Sequence, residues 1–191
     1  SVQYFTLAAE QGEAGAQMIL GRLHGSAQYG IGLNPKLSFK WTKRAADQGD
    51  INAIADLGWM YCQGKVVKKD CDKGYQMLIK AHNQGNADAT MSIGILHALG
   101  HSVEQDHKRA FDYYNQALKR GNKTANLFIG DAYFQAKGVE KNVDKAFEVL
   151  IQARQQGIGL DDAAMKKYDL CRLETRLVKD QQKYAIECKL F

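Results

Sequence analysis

The sequence predicts an all-α fold in which helix-turn-helix units repeat and stack into a solenoid. Three observations carry this. Four residue series recur in one register, with a period of 36 or 37 residues. Apolar residues fall at helical spacing between the punctuating glycines, as Ala16, Ile19, Leu20 and Leu23 do. A single proline against 18 glycines leaves the helices uninterrupted and supplies the turns between them.

The first series is the glycine that closes AAEQG, AADQG, AHNQG, ALKRG and ARQQG: Gly12, Gly49, Gly85, Gly121 and Gly157, spaced 37, 36, 36 and 36. The second is Gly21, Gly58, Gly94 and Gly130, each preceded by leucine or isoleucine. The third is Asn34, Asp70, Asp106 and Asn142, and the fourth is Phe39, Tyr75, Phe111 and Phe147, both spaced 36 throughout. Chance does not align four series in this way, and internal repetition at such a period marks a repeat architecture.

Each unit reads as a first helix (A), a loop and a second helix (B). Helix A of the first full repeat spans roughly 14–24. A glycine in mid-helix costs about 1 kcal/mol against alanine, so Gly21 and its equivalents predict a close approach of helix B. Asn34, Asp70, Asp106 and Asn142 sit where N-caps belong, their side chains accepting free amides of helix B. The one proline, Pro35, falls at the first helical position, where it costs least. Ile31, Val67, Val103 and Val139 read as loop anchors on the core. The series ending at Gly157 suits left-handed C-caps. The resulting division is helix B of a truncated repeat at 1–12, then repeats at 13–49, 50–85, 86–121 and 122–157. Residues 158–191 break the pattern, because Lys166 stands where the packing glycine belongs. They read as a C-terminal capping helical segment with a stripe of Leu173, Leu177, Tyr184, Cys188 and Phe191. Ser1 begins inside a helix, which predicts an upstream segment.

Composition excludes several classes. At 45% hydrophobic and 25% charged residues the chain reads as globular, and no stretch has the length of a membrane span. The net charge of +5 is spread with acidic residues between the basic ones. No basic patch interleaves with aromatics, so nucleic acid is not an expected partner. No Walker loop, G-x-S-x-G or H-E-x-x-H occurs, and no cofactor is expected. Of the four cysteines, Cys62 ends helix A and Cys71 starts helix B of the same repeat. They can meet as a disulfide worth about 2–3 kcal/mol, with two free thiols the favoured alternative. Cys171 and Cys188 can pair only across a bend. His97, His101 and His107 invite a metal reading. His97 falls in a helix A tyrosine slot and the other two near the surface, so a packing role is expected and no metal site.

The pattern A-x-x-x-L-G-x-x-Y-x-x-G, then G-V-x-x-D, K-A and A-A-x-x-G resembles the Sel1-like repeat family, relatives of the tetratricopeptide repeats. Repeat two supplies it as Ala53, Leu57, Gly58, Tyr61, Gly64, Val67, Asp70, Lys73, Ala81 and Gly85. Repeat four supplies Ala125, Ile129, Gly130, Tyr133, Val139, Asn142, Lys145, Ala146, Ala153 and Gly157. His24 and His97 replace the tyrosine and Gly74 replaces the helix B alanine, which predicts locally weaker packing. The resemblance implies a right-handed α-α superhelix and a non-enzymatic adaptor or scaffold. It extends to bacterial regulation, host interaction or toxin immunity, and favours an extracytoplasmic location over a cytoplasmic one.

By the related tetratricopeptide geometry, helix A lines the concave face. The partner-binding residues are then Met18, Arg22, Asn52, Trp59, Asp88, Met91, Ile95, Thr124, Leu127, Asp131 and Phe134. Met18, Trp59, Met91, Ile95, Leu127 and Phe134 would form an apolar groove for a helix or extended segment of another protein, oriented by Arg22, Asp88 and Asp131. The capping segment or a second copy of the chain are the other occupants. Alternatives in function are a self-assembling structural protein and a cell-wall-related hydrolase of β-lactamase-like type. The hydrolase would need Ser92, the one serine in a middle helix A, to meet a base.

Overall fold

The computed structural model describes residues 2–26 and 32–158, among which there are nine helices and no strand. They are α1 (Val2–Glu10), α2 (Ala14–Gly25), α3 (Pro35–Asp47), α4 (Ile51–Gln63), α5 (Cys71–Asn83), α6 (Ala87–Leu99), α7 (His107–Lys119), α8 (Ala125–Gln135) and α9 (Val143–Gln155). Two compact units divide them, one ending at Asn122 and one beginning at Lys123. The first holds α1 to α7 and the second α8 and α9. The segment 158–191, read as a cap, lies outside the described residues apart from Ile158, and so do Cys171 and Cys188.

Each boundary is set by its own residues. Asn34, Asp70, Asp106 and Asn142 accept the amides of Leu37, Lys73, Arg109 and Lys145 at 2.9–3.1 Å, as N-caps. Their own backbone amides donate to the carbonyls of His24, Tyr61, His97 and Tyr133, so the loop is clamped at both ends of the cap. Gly12, Gly49, Gly85, Gly121 and Gly157 take φ between +74° and +98°. After α3, the Gly49 amide donates to Ala46 and the Asp50 amide to Ala45, a Schellman closure. The residue after that glycine then caps the next A helix: Glu13, Asp50 and Asn86 accept the amides of Ala16, Ala53 and Ala89. These second caps go beyond the four expected from the repeat pattern. Their signal is a polar side chain directly after each glycine.

The mid-helix glycines do what their recurrence predicts. A Cβ on Gly58 would lie 2.8 Å from the Gly74 carbonyl oxygen, on Gly94 2.7 Å from the Tyr114 ring, and on Gly130 2.6 Å from Leu150. Gly21 meets Thr42 in the same way. Gly74 corrects the expectation of weaker packing. A Cβ there would strike the Gly58 carbonyl oxygen and lie 2.7 Å from the Cys62 sulfur, so its absence lets α4 and α5 approach more closely. His97 likewise packs well. It is 4% exposed and stacks on Tyr113 with centroids 5.5 Å apart, edge-on to Tyr75.

In the first unit one core cluster gathers Ala9, Ala16, Leu20 and Trp41. Another gathers Ile54, Leu78, Ala81, Ile93 and Leu96, with Trp59, Tyr75 and Val103 packed against it. Leu78, Ile93 and Leu96 are fully buried, each worth about 1.5–3 kcal/mol over an exposed position. In the second unit Ile129, Phe147 and Leu150 are buried between α8 and α9.

Candidate partner-binding face

The A helices of the first unit, α2, α4 and α6, carry most of the predicted binding residues, and polar side chains link them. Arg22 of α2 donates from Nε to Asp56 of α4 at 2.9 Å and from Nη2 at 3.4 Å, and reaches Asp88 of α6 at 3.6 Å. Asn86 donates to Asn52 at 2.9 Å, and Asn122 donates to Asp88 at 2.8 Å. Each of the three hydrogen-bonded pairs spans 34 residues, two fewer than the period. Asp56, Asn86 and Asn122 were not among the predicted residues. Their signal is a polar side chain one repeat on, displaced by two positions from its partner.

Burial pushes the Asp56 carboxyl above the usual carboxylate range, and Arg22 offsets this only in part, while Asp88 and Asp50 raise it further. The Arg22 guanidinium is held above its ordinary value, chiefly by its hydrogen bond to Asp56. One guanidinium thus bridges two carboxylates, Asp56 and Asp88. A cleft of about 460 Å³ opens here, lined by Arg22, Ser38, Asp56, Trp59, Gln63 and Asp88 among others.

The structure brings Arg22, Trp59 and Asp88 to one cleft, and it corrects the expected apolar stripe. Met91 is 6% exposed and belongs to the packing. Trp59 is half-buried against the core cluster, and Met18 and Ile95 are also half-buried. Arg22, Asn52 and Asp88 are the exposed members, so in this unit the face presents polar groups flanked by parts of apolar ones. Thr124, Leu127, Asp131 and Phe134 belong to the second unit. There Thr124 is exposed at the start of α8 and the other three are half-buried.

Cys62 turns from this face toward α5. Its sulfur is joined to that of Cys71, so the structure carries the disulfide and not the favoured pair of free thiols. His101 is exposed and His107 half-buried at the start of α7. Ser92 donates its hydroxyl to the Asp88 carbonyl one turn back, at 2.9 Å, so that proton is engaged within its own helix. Among the described residues no helix is long and apolar enough to cross a membrane.

Paired helices in a fixed register, closed by left-handed glycines and joined through their A helices, define an α-helical repeat protein. The chain belongs to the Sel1 repeat family, whose model matches residues 1–13, 14–50, 51–86, 87–122 and 124–158. Its class is the all-α repeat solenoid. It is similar to a Sel1 repeat protein from Oxalobacter formigenes, at 29% identity and a TM-score of 0.64, over 82% of this chain and 70% of that one. In fold it is similar to a protective antigen of uropathogenic Escherichia coli, at 22% identity and a TM-score of 0.71. That likeness covers 99% of this chain, which spans 39% of the antigen. No curated protein matches the chain. Sel1 repeat proteins generally mediate protein–protein interaction and are generally non-enzymatic scaffolds.

Proposed function

We propose that this chain is a non-enzymatic scaffold that holds a partner protein along the A-helix face of its first unit. The observation that carries this reading is the cleft at Arg22, Asp56, Trp59 and Asp88, where an indole lies beside polar groups already held in place by neighbouring repeats. Tryptophan and arginine are favoured interface anchors, and preorganised side chains lower the ordering cost of binding. The partner contributes an extended or helical segment with a polar or basic side chain at Asp88 and an apolar one at Trp59 and Ile95. The Cys62–Cys71 disulfide supports an oxidising compartment.

The test compares the native chain with Asn52→Arg and Asp88→Lys, both at exposed positions, and with Trp59→Ala. A partner identified by cross-linking and mass spectrometry is expected to be lost from all three while circular dichroism shows the two surface variants still folded at the assay temperature. A partner bound equally by native and variant chains overturns the reading.

A further inference from the structure

The junction between the ends of α5 and α7 holds a cluster that the binding reading does not use. Arg120, at the C-cap of α7, points one guanidinium nitrogen, Nη1, at three acceptors: the His82 carbonyl at 2.9 Å, Thr90 Oγ1 at 2.6 Å and His82 Nδ1 at 2.9 Å. A guanidinium only donates, so the contact to Nδ1 corresponds to the neutral tautomer with its proton on Nε2, the two hydrogens of Nη1 being shared among the three acceptors. Thr90 is fully buried and gives its own hydroxyl proton to the Asn86 carbonyl at 2.7 Å, so its oxygen can only accept here. One arginine therefore ties the end of α5, the first turn of α6 and the end of α7.

The repeat register shows that this is particular to one junction. The positions equivalent to Arg120 in the two preceding repeats are Gln48 and Gln84, those equivalent to Thr90 are Gln17 and Ile54, and those equivalent to His82 are Ala9 and Ala46. At the first junction the same geometry is built from neutral groups: Gln48 donates to Gln17, and Gln17 donates to the Ala9 carbonyl. The third junction replaces these with a permanent cation and a titratable ring.

We propose that Arg120, His82 and Thr90 form an acid-sensitive latch between repeats two and three, closed while the His82 imidazole is neutral and opened when the ring takes up a proton. A proton on Nδ1 turns that nitrogen into a donor 3.0 Å from Thr90 Oγ1, the acceptor that Arg120 occupies. It also sets two cations against each other. The groups facing His82 are Arg120, Thr90 and the Tyr113 ring, packed edge-to-face with centroids 5.5 Å apart, and His97 stacks on that same Tyr113 ring. Burial first, and the charge of Arg120 second, hold the imidazole below the ordinary histidine value. A depressed value means the folded chain resists the proton. The latch is fully closed above the ordinary histidine range and is lost as pH falls through the lowered value.

The test is site-resolved amide exchange, corrected for intrinsic rates, at pH 7 and pH 5. The amides of Gly121 and Asn122 report the end of α7, and those of Gly49 and Asp50 report the neutral first junction. Exchange at Gly121 and Asn122 is expected to accelerate on acidification by up to about tenfold per pH unit, with Gly49 and Asp50 unchanged. His82→Asn keeps an acceptor near the Nδ1 position without a titrating ring, and should abolish the acceleration. In Arg120→Gln the His82 ring should titrate closer to the ordinary histidine value by NMR. Acceleration that persists in His82→Asn, that is equal at both junctions, or that is absent from the native chain overturns the latch. So does a His82 titration unmoved by Arg120→Gln.

Discussion

At the scale of single residues the glycines divide into two physical kinds that composition alone does not separate. Gly94 is helical and enclosed, while Gly85 has a left-handed φ of +86° and nothing within 4 Å of where a methyl would sit. Gly94→Ala forces a methyl against the Tyr114 ring, an overpacking expected to cost about 1–3 kcal/mol. Gly85→Ala meets no neighbour and is expected to lose about 1–2 kcal/mol through backbone strain alone. Urea denaturation measures both losses. A shortened second residue at Tyr114 should rescue Gly94→Ala and leave Gly85→Ala unrescued; rescue of both would mean the two glycines serve one purpose. Position and residue type foretell both glycine series because each has one dominant physical reason. Two of the three departures in the pattern, Gly74 and His97, are not legible in this way. Whether either weakens packing depends on what faces it, Cys62 for one and two tyrosine rings for the other, and a single chain position does not display its neighbours.

At the scale of the helix pair, α4 and α5 are held together by two devices at once. Gly58 faces Gly74, and the Cys62–Cys71 disulfide closes the loop nine residues apart. A loop this short removes limited chain entropy, so replacing both cysteines by alanine is expected to cost about 2–3 kcal/mol. Chemical denaturation with and without reductant checks this. The native chain should lose the same amount in reductant, and the double variant should not respond. Helix ends in these hairpins are legible because caps are local: Asp70 needs only the amide of Lys73, three residues on. The sequence does not decide the disulfide, since the proximity of Cys62 and Cys71 depends on how closely two helices approach, and that closeness is set by Gly74 on the far side of the loop.

Across the molecule, solenoid stability is a sum of repeat and neighbour terms, and the A-helix ladder is one way the first unit couples its repeats. That ladder is not legible in the sequence, because a face inferred from spacing says which residues share a side and nothing of how far each is sunk. Met91 sinks into the packing while Arg22 and Asp88 stay out. The coupling is unequal. Arg22 and Asp88 are 45% and 57% exposed at 3.6 Å, so a double-mutant cycle on that pair should return less than about 0.5 kcal/mol and vanish in salt. Asp56 is 27% exposed and hydrogen-bonded at 2.9 Å, so Arg22 with Asp56 should return about 1 kcal/mol after screening at the arginine. The pH dependence gives a sharper check. Burial raises the folded Asp56 carboxyl above its unfolded value, so the folded state holds the extra proton and this group adds stability as pH falls. Removing Arg22 withdraws the influence that lowers it and raises it further. The cost of Arg22→Gln should therefore be greatest near neutral pH and shrink on acidification, as Asp56 becomes a neutral acid that no longer needs its cation. Urea midpoints for the two proteins at a series of pH values measure that difference. A cost that stays flat or grows toward acid would mean Arg22 serves the fold by packing and not by balancing the buried carboxylate.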